Sequence, residues 1–126
     1  MRGMSATSVV RDFCQAISRQ DIQEILGFFS EDAVYHNIPL EPVQGKAAIE
    51  ATLRMFLDPK GGQAEFEVRA LAASGNTVLT ERIDRFQVSG KKVELPVMGA
   101  FEVTREGKIS AWRDYFDLAQ FTKQIA

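Results

Sequence analysis

The chain has 126 residues, of which 15 are basic and 17 acidic, and a formal net charge of −2. Its length suits a single domain over residues 1–126, and its well-mixed charges include no basic stripe for nucleic acid. No apolar run approaches the roughly 20 residues that a membrane span needs. We therefore expect a cytoplasmic protein without nucleic-acid or membrane partners, and the single cysteine, Cys14, fits a reducing compartment.

The first half of the chain is predicted to be mainly helical. Residues 5–20 carry apolar side chains at helical spacing, and Asp21 caps a second helix over 22–29. A third helix is predicted over 46–57. The proline and the glycines of 58–62 end this helix, because neither residue type favours its continuation.

The second half is predicted to be a β-meander. Turn signals at 74–76, 89–90 and 106–107 separate segments of about a dozen residues, longer than the usual strand of roughly 5–6. Strands of this length must twist and curl. With a further short strand at 33–37, the expected fold class is α+β, in which N-terminal helices pack in the concavity of a strongly curved, mainly antiparallel, cone-shaped sheet.

Alternation places two charged side chains on the core face of one predicted strand. Arg82 and Asp84 share that face with Val78 and Phe86, whereas Glu81 lies on the opposite face. Charged groups are costly in a core. The pair therefore predicts an active site, and an exposed cross-strand ion pair is the alternative interpretation of the same spacing.

The register of the turns predicts that Asp114 lies close to this pair. With two-residue turns after the second and third strands of the meander, Arg82 faces Val97 and Gly99 faces Asp114. For the first strand of the meander to match this inward face, the loop of the first hairpin must have an odd length. Three residues, 75–77, are therefore expected. Because Gly99 has no side chain, Arg82 can reach both aspartates. Two carboxyl groups beside one cation in a medium of low dielectric can separate into an acid and a base.

The single histidine and the single cysteine do not indicate a metal site or a nucleophile. His36 alternates away from Tyr35 and Asn37, so it is predicted to be structural or solvated. Cys14 lies on the apolar face of the first predicted helix and is expected in the core. One His and one Cys do not supply the four ligands of a structural zinc site, so no metal is expected.

The opposite face of the meander is too apolar for full exposure to solvent. Its charged residues are interspersed with Leu79, Ile83, Pro96, Met98, Ala100 and Ile109. Exposed apolar patches of this kind mark contacts between protein chains. We therefore expect a homodimer that forms through this face.

Three short segments resemble the signature of a known family. Tyr35-His36-Asn37, Arg82-Ile83-Asp84 and Trp112-Arg113-Asp114 are similar, in this order, to the signature segments of the limonene epoxide hydrolases. The likeness spans nearly the whole chain, as far as Leu118. That family belongs to the small cone-shaped domains that resemble nuclear transport factor 2, the SnoaL-like superfamily, whose fold supports many functions.

The resemblance implies a role for each polar residue of the site. Asp114 would be the general base on a water molecule held by Tyr35 and Asn37, and Asp84 would be the general acid to the epoxide oxygen. Arg82 would bridge the two carboxyl groups. Water would then open the ring in one step to a vicinal diol, without a covalent ester, a metal or a cofactor. Simultaneous action of an acid and a base suits this reaction.

Apolar residues on the charged face are candidates for the substrate pocket. They are Leu95, Val97, Trp112 and Phe116. With the resemblance, they favour a small or medium apolar epoxide, terpene-like or cyclic. For any one of them, filling the core is the alternative role.

Two other classes of function remain open on the sequence alone. Ketosteroid isomerases and polyketide cyclases share the cone fold, and they would combine one carboxylate base with donors aimed at an oxyanion. A ligand-binding or dimerisation module without catalysis is the other alternative. The substitution Asp114→Asn separates a hydrolase from a binding module, because a hydrolase loses activity while it keeps its fold.

Overall fold

The computed structural model describes residues 5–57 and 62–126 of the chain. Its elements, in chain order, are α1 (Ala6–Ile17), α2 (Ile22–Leu26), β1 (Phe29–Asn37), β2 (Val43–Gln44), α3 (Lys46–Leu53), β3 (Glu65–Ser74), β4 (Thr77–Val88), β5 (Lys91–Val103), β6 (Ile109–Tyr115) and α4 (Leu118–Ile125). Helices followed by a meander confirm the α+β fold class. No helix within the described ranges is long and apolar enough to cross a membrane.

The six strands form one open sheet in the order β2-β1-β6-β5-β4-β3. Neighbouring strands are antiparallel except β1 and β6, which run parallel. The parallel pairing sets Tyr35 beside Trp112 and Asn37 beside Asp114. This contact therefore brings the first half of the chain to the predicted site.

Local sequence explains the ends of the helices. The side chains of Ser5 and Asp21 cap α1 and α2 by accepting backbone N–H bonds. Helix α2 ends earlier than predicted, because Phe28 O already accepts a hydrogen bond from Ile109 N of β6. Helix α3 also ends early, at Leu53, and residues 58–61 of its predicted stop lie outside the described residues. Helix α4 was not predicted.

The predicted pairing of the last three strands of the meander is confirmed. Arg82 faces Val97, and Gly99 pairs with Thr80 of β4 on one side and with Asp114 of β6 on the other. The charged residues of β4 and β6 therefore emerge on the same face, separated by one strand. Their lateral distance is small enough for an arginine side chain to span.

The first hairpin of the meander is where the predicted register is wrong. Strands β3 and β4 are joined by a two-residue loop at 75–76, not by three residues. The extra residue lies instead in a β-bulge between Val68 and Ala70. This bulge shifts the alternation of inward and outward side chains by one position, as the longer loop would have done. As a result Phe66 faces Asp84, and an aromatic ring covers the charged residues.

The core lies between the sheet and α1. Phe13 of α1 contacts the rings of Phe29, Phe101 and Trp112 edge to face, with centroid distances of 5.5, 5.8 and 5.0 Å. Aromatic pairs of this geometry contribute about 0.5–1.5 kcal/mol each beyond the area that they bury. The single tryptophan of the chain is therefore held rigidly on the inner face of β6.

The outer face of the sheet is partly as predicted. Leu79 and Met98 are 47% and 50% exposed, whereas Ala100 is 7% exposed. The prediction that Ile109 lies on this face is wrong. An irregularity in the ladder beside Val103 turns the side chain of Ile109 to the core, where it is fully buried.

Candidate active site

Arg82 bridges Asp84 and Asp114 on the inner face of the sheet. Its Nη2 lies 2.7 Å from Asp84 Oδ2 and 2.8 Å from Asp114 Oδ2. Arg82 Nε donates to Asp84 Oδ1 at 2.9 Å, and Nη1 donates to Asp114 Oδ1 at 3.2 Å. The three residues are 1–3% exposed. The structure thus places these groups together as predicted, and the alternative of an exposed ion pair is wrong.

Every N–H group of the Arg82 guanidinium has an acceptor. A guanidinium carries five N–H groups in a planar fork. Four of them go to the two carboxylates, and Nη1 also donates to the hydroxyl of Thr80 at 3.1 Å. The ring of Phe66 covers the guanidinium, whose Cζ lies 4.5 Å from the ring centre. Arg82 therefore holds the carboxylates and keeps no N–H for a ligand.

The glycine at position 99 makes this arrangement possible. A Cβ atom on Gly99 would collide with Arg82 Nη1 and would lie 2.9 Å from Asp114 Oδ1. It would also lie 2.8 Å from the hydroxyl of Thr80. Gly99 is thus required here for space, because its own φ is ordinary.

The charges of the buried group do not cancel when both aspartates are ionised. Burial raises the pKa of Asp84 from 3.8 to about 6, with a further rise from Asp114 and an opposing effect of Arg82. Although burial opposes it, the two carboxylates hold the pKa of Arg82 well above its usual value, so the guanidinium stays charged. One proton on the pair makes the group neutral, which a core favours.

Trp112 lies in the core beside Asp114 rather than in a pocket. Its indole Nε1 donates to Asp114 Oδ1 at 2.7 Å. Its ring stacks on that of Tyr35, with centroids 3.8 Å apart and planes inclined by 8°. The residue is fully buried and does not border the cavity described below. The expectation that Trp112 contacts a substrate is therefore corrected, since the aromatic core encloses it.

Tyr35 and Asn37 border the same cavity as the two aspartates. The hydroxyl of Tyr35 donates to Asn37 Oδ1 at 3.3 Å, and strand pairing sets Asn37 next to Asp114. Burial raises the pKa of the Tyr35 phenol, so the phenol keeps its proton. A phenol, an amide and a carboxylate thus meet in one region, where together they can bind a small polar molecule.

The cavity has a volume of about 160 Å³ and opens in front of these groups. Thr52 adds one hydroxyl to its lining. The remaining lining is apolar and consists of Leu40, Met55, Phe56, Phe66, Phe86, Val88, Leu95, Val97, Phe116 and Phe121. Such a cavity suits a mostly hydrocarbon molecule that presents one polar atom to the aspartates.

The other residues considered in the sequence lie away from this chemistry. His36 Nε2 lies 2.9 Å from Leu40 O in a local hydrogen bond. Cys14 is buried, and burial raises the pKa of its thiol to about 12. Within residues 5–57 and 62–126, no group of three or more His, Cys, Asp or Glu side chains is placed to hold a metal ion.

Comparison with known proteins identifies the family. The family model for the limonene-1,2-epoxide hydrolase catalytic domain matches residues 4–126. The chain is also 32% identical over 118 residues to epoxide hydrolase EphG of Mycobacterium tuberculosis, covering 92% of this chain and 76% of that protein. The chain belongs to the limonene-1,2-epoxide hydrolase family. The resemblance inferred from the three short segments is thereby confirmed.

Solved structures agree with membership in the limonene-1,2-epoxide hydrolase family. A structure of a Mycobacterium tuberculosis epoxide hydrolase of this type is 31% identical, with a TM-score of 0.77, and the match covers 94% of this chain and 87% of that one. A putative polyketide cyclase from Xanthomonas campestris has a TM-score of 0.80 at 22% identity and covers 96% of both chains. At that identity the second match shows the fold alone.

For this member of the limonene-1,2-epoxide hydrolase family, most of the predicted site residues converge. The five polar residues, Tyr35, Asn37, Arg82, Asp84 and Asp114, form one group. Leu95, Val97 and Phe116 line the cavity, and Trp112 does not.

Three residues of the site were not predicted from the sequence. Thr80 binds the guanidinium, Phe66 covers it, and Phe121 of α4 borders the cavity. A helical spacing of apolar residues near the end of the chain, at Leu118, Phe121 and Ile125, was the signal for α4. The role of Phe66 had no comparable signal, because the bulge that turns it inward leaves no clear pattern in the sequence.

Proposed function

We propose that this protein hydrolyses a small or medium apolar epoxide to a vicinal diol in one step, without a cofactor. The observation that carries this proposal is the Arg82 bridge between two buried carboxyl groups, both of which border an apolar cavity. Ring opening by water requires a base for the water proton and an acid for the ring oxygen. Two coupled carboxyl groups of unequal proton affinity supply both.

Asp114 is the general base in this proposal. Its Oδ2 accepts one hydrogen bond, from Arg82 Nη2, and so retains a lone pair for a water molecule. Tyr35 and Asn37 hold that water beside the carboxylate. As the water oxygen forms a bond to an epoxide carbon, its proton passes to Asp114.

Asp84 is the general acid. Its raised pKa, about 6, keeps a proton available near neutral pH. As the carbon–oxygen bond of the ring breaks, its electron pair takes the proton of Asp84 and the oxygen becomes the second hydroxyl of the diol. Afterwards Asp114 holds a proton and Asp84 has lost one, so a transfer from Asp114 to Asp84 through solvent restores the starting state.

The two rival functions are less well supported by the same contacts. An isomerase or cyclase that used Arg82 or Tyr35 to stabilise an oxyanion would need the donors of these residues free. The five N–H groups of Arg82 are all engaged, and the Tyr35 hydroxyl already donates to Asn37. A binding module without catalysis gives no reason to place two carboxyl groups in an apolar wall, where burial of charge is unfavourable.

The cavity favours a compact hydrocarbon skeleton as the substrate. Leu95, Val97 and Phe116 form an apolar wall beside the aspartates. Among the cavity residues within 5–57 and 62–126, only the two aspartates carry a charge. A volume of about 160 Å³ suits a small or medium molecule, such as a terpene-like or cyclic epoxide. An anionic group on the substrate would lose its hydration and would meet carboxylates of the same sign.

We also propose that the protein forms a homodimer through the outer face of the sheet. Leu79, Met98 and Tyr115 are 47%, 50% and 48% exposed on this face. An ion pair of 2.8 Å between Arg113 and Glu102 lies among them. An apolar patch with polar groups around it is typical of a surface that pairs with another chain.

A single-turnover experiment in oxygen-18 water tests the hydrolase. Excess protein is mixed with cyclohexene oxide, limonene 1,2-epoxide or 1,2-epoxyhexane, and the diol and the intact protein are analysed by mass spectrometry. Direct attack by water puts the label into the diol in the first turnover. An unlabelled first diol together with a labelled protein carboxylate contradicts the one-step reaction.

The matched control is Asp114→Asn. This variant keeps the size of the side chain but cannot take the proton of water, so diol formation should fall by about a hundredfold or more. Its circular dichroism spectrum should match that of the wild type. Undiminished hydrolysis by the variant contradicts the role of Asp114, and no hydrolysis of any epoxide by the wild type contradicts the function.

A further inference from the structure

Arg82 by itself does not distinguish between the two carboxyl groups. Asp84 accepts hydrogen bonds from Nε and Nη2, and Asp114 accepts them from Nη1 and Nη2. Each carboxylate therefore receives two N–H groups of the same cation. The remaining N–H goes to Thr80, which carries no charge. Burial favours one proton on the pair, and the bridge leaves open which aspartate holds it.

The indole N–H of Trp112 removes this equality. Its 2.7 Å bond to Oδ1 gives Asp114 three donors, whereas Asp84 has two. A hydrogen bond donated to a carboxylate favours the ionised form. An indole N–H is a donor only, so it has no acceptor to offer to a protonated carboxyl group. The contact therefore favours a negative charge on Asp114.

The surroundings of Trp112 hold that N–H in place. The ring is fully buried, stacks on Tyr35 at 3.8 Å and meets Phe13 edge to face at 5.0 Å. Rotation of the indole away from Asp114 would disturb all of these contacts. The same stacking fixes the ring of Tyr35, which borders the cavity. One buried side chain thus orients both a carboxylate and a phenol of the site.

We propose that Trp112 is a positioning residue whose indole N–H directs the negative charge of the buried pair to Asp114 and so leaves the shared proton on Asp84. This assignment rests on the proposed function, because it decides which aspartate acts as base and which as acid. The raised pKa of Asp84 agrees with it. The distribution of the proton can nevertheless be measured without any turnover.

The decisive variant replaces only the N–H group. Trp112 is the single tryptophan of the chain, so it can be replaced by β-(3-benzothienyl)alanine, whose sulfur takes the position of the indole nitrogen. The ring keeps its shape but loses its donor. Trp112→Phe is the second variant. Phe101→Leu is the matched control, because Phe101 also packs on Trp112 in the core but makes no hydrogen bond to an aspartate.

The first readout is carbon-13 NMR of the seven aspartate carboxyl carbons as a function of pH. Asp84→Asn and Asp114→Asn assign the two signals. In the wild type and in Phe101→Leu, the signal of Asp84 should report protonation first as the pH falls. In the two variants at position 112, the proton should be spread over both carboxyl groups. An unchanged order of protonation in the benzothienyl variant overturns the proposal.

The second readout is the pH profile of kcat/KM with cyclohexene oxide. Loss of the N–H should move the acidic limb to higher pH and lower kcat by about ten- to a hundredfold, since a hydrogen bond to a charged group is lost. KM should change little. A profile with unshifted limbs overturns the proposal. If no epoxide is hydrolysed but the order of protonation changes, the role of Trp112 stands and the hydrolase proposal fails.

Discussion

Arg82 Nη1 occupies the space that a side chain on Gly99 would need. The two residues lie on adjacent strands, and a Cβ atom on Gly99 would collide with the guanidinium and also crowd Asp114. The bridge between the carboxyl groups thus depends on a residue that makes no side-chain contact itself. A search for charged residues alone does not find this requirement.

Gly99→Ala should therefore disrupt the site. The added methyl group displaces Arg82 or Asp114, so activity should fall by at least about tenfold, and overpacking should lower the free energy of unfolding by about 1–3 kcal/mol. Gly27→Ala is the control, because Gly27 also has an ordinary φ and lies at the end of α2. Urea unfolding and diol formation are measured for both. Full activity in Gly99→Ala would contradict this prediction, because the strands would then accommodate the methyl group without displacing Arg82 or Asp114.

The free energy of unfolding should depend on pH through the ionisation of Asp84. Because burial raises its pKa from 3.8 to about 6, the folded state binds this proton more tightly than the unfolded state. This contribution is fully present below pH 4 and is lost as the pH rises through about 6. At about 1.4 kcal/mol per pKa unit, the loss amounts to about 3 kcal/mol.

Asp84→Asn isolates that contribution, since an amide does not titrate. Urea unfolding of both proteins at pH 4, 5, 6 and 7 gives the difference in free energy of unfolding. As the pH rises, this difference should move by about 3 kcal/mol in favour of the variant. Parallel curves for the two proteins would mean that Asp84 ionises in the folded state as it does in the unfolded chain.

The size of the accepted epoxide should depend on α4. Phe121 borders the cavity and contacts Phe116 and Phe86, with centroid distances of 6.5 and 6.3 Å. Phe121→Ala enlarges the cavity, so kcat/KM for limonene 1,2-epoxide should rise relative to that for cyclohexene oxide. Because Phe121 is half-buried, stability should fall by only about 1–3 kcal/mol. Lys123→Ala, an exposed position on the same helix, should leave the ratio unchanged.

The outer face of the sheet should control the oligomeric state. Met98→Lys places a charge in the apolar patch and should convert a dimer to a monomer in size-exclusion chromatography with light scattering. Ala51→Lys, on an exposed position of α3, should remain dimeric. A wild-type protein that is monomeric at micromolar concentration would rule out the proposed interface.

Much of the site followed from strand alternation and from two turns. Two-residue turns at 89–90 and 106–107 set the register that places Gly99 between Thr80 and Asp114. Where the chain departs from regular pairing, alternation misplaces residues. The bulge beside Val68 shortened the first loop, and the irregularity near Val103 turned Ile109 inward.

The placement of Trp112 shows a second limit of the sequence. Alternation gave its correct face but did not say whether the ring borders the cavity or the core. That outcome depends on Phe13 of α1 and on the parallel pairing of β1 with β6, which brings Tyr35 against the indole. Contacts between segments that are distant in the sequence decide the position of the ring, and the local sequence pattern does not predict these contacts.

The complete set of acceptors around Arg82 also defines what a protein designer must copy. A lysine in its place would offer three N–H groups from a single nitrogen, so it could not reproduce the planar fork that serves two carboxylates and a hydroxyl. Grafting the aspartates and the arginine onto another scaffold would therefore be insufficient. The minimal transplant spans three adjacent strands and comprises Thr80, Arg82, Asp84, Gly99, Trp112 and Asp114.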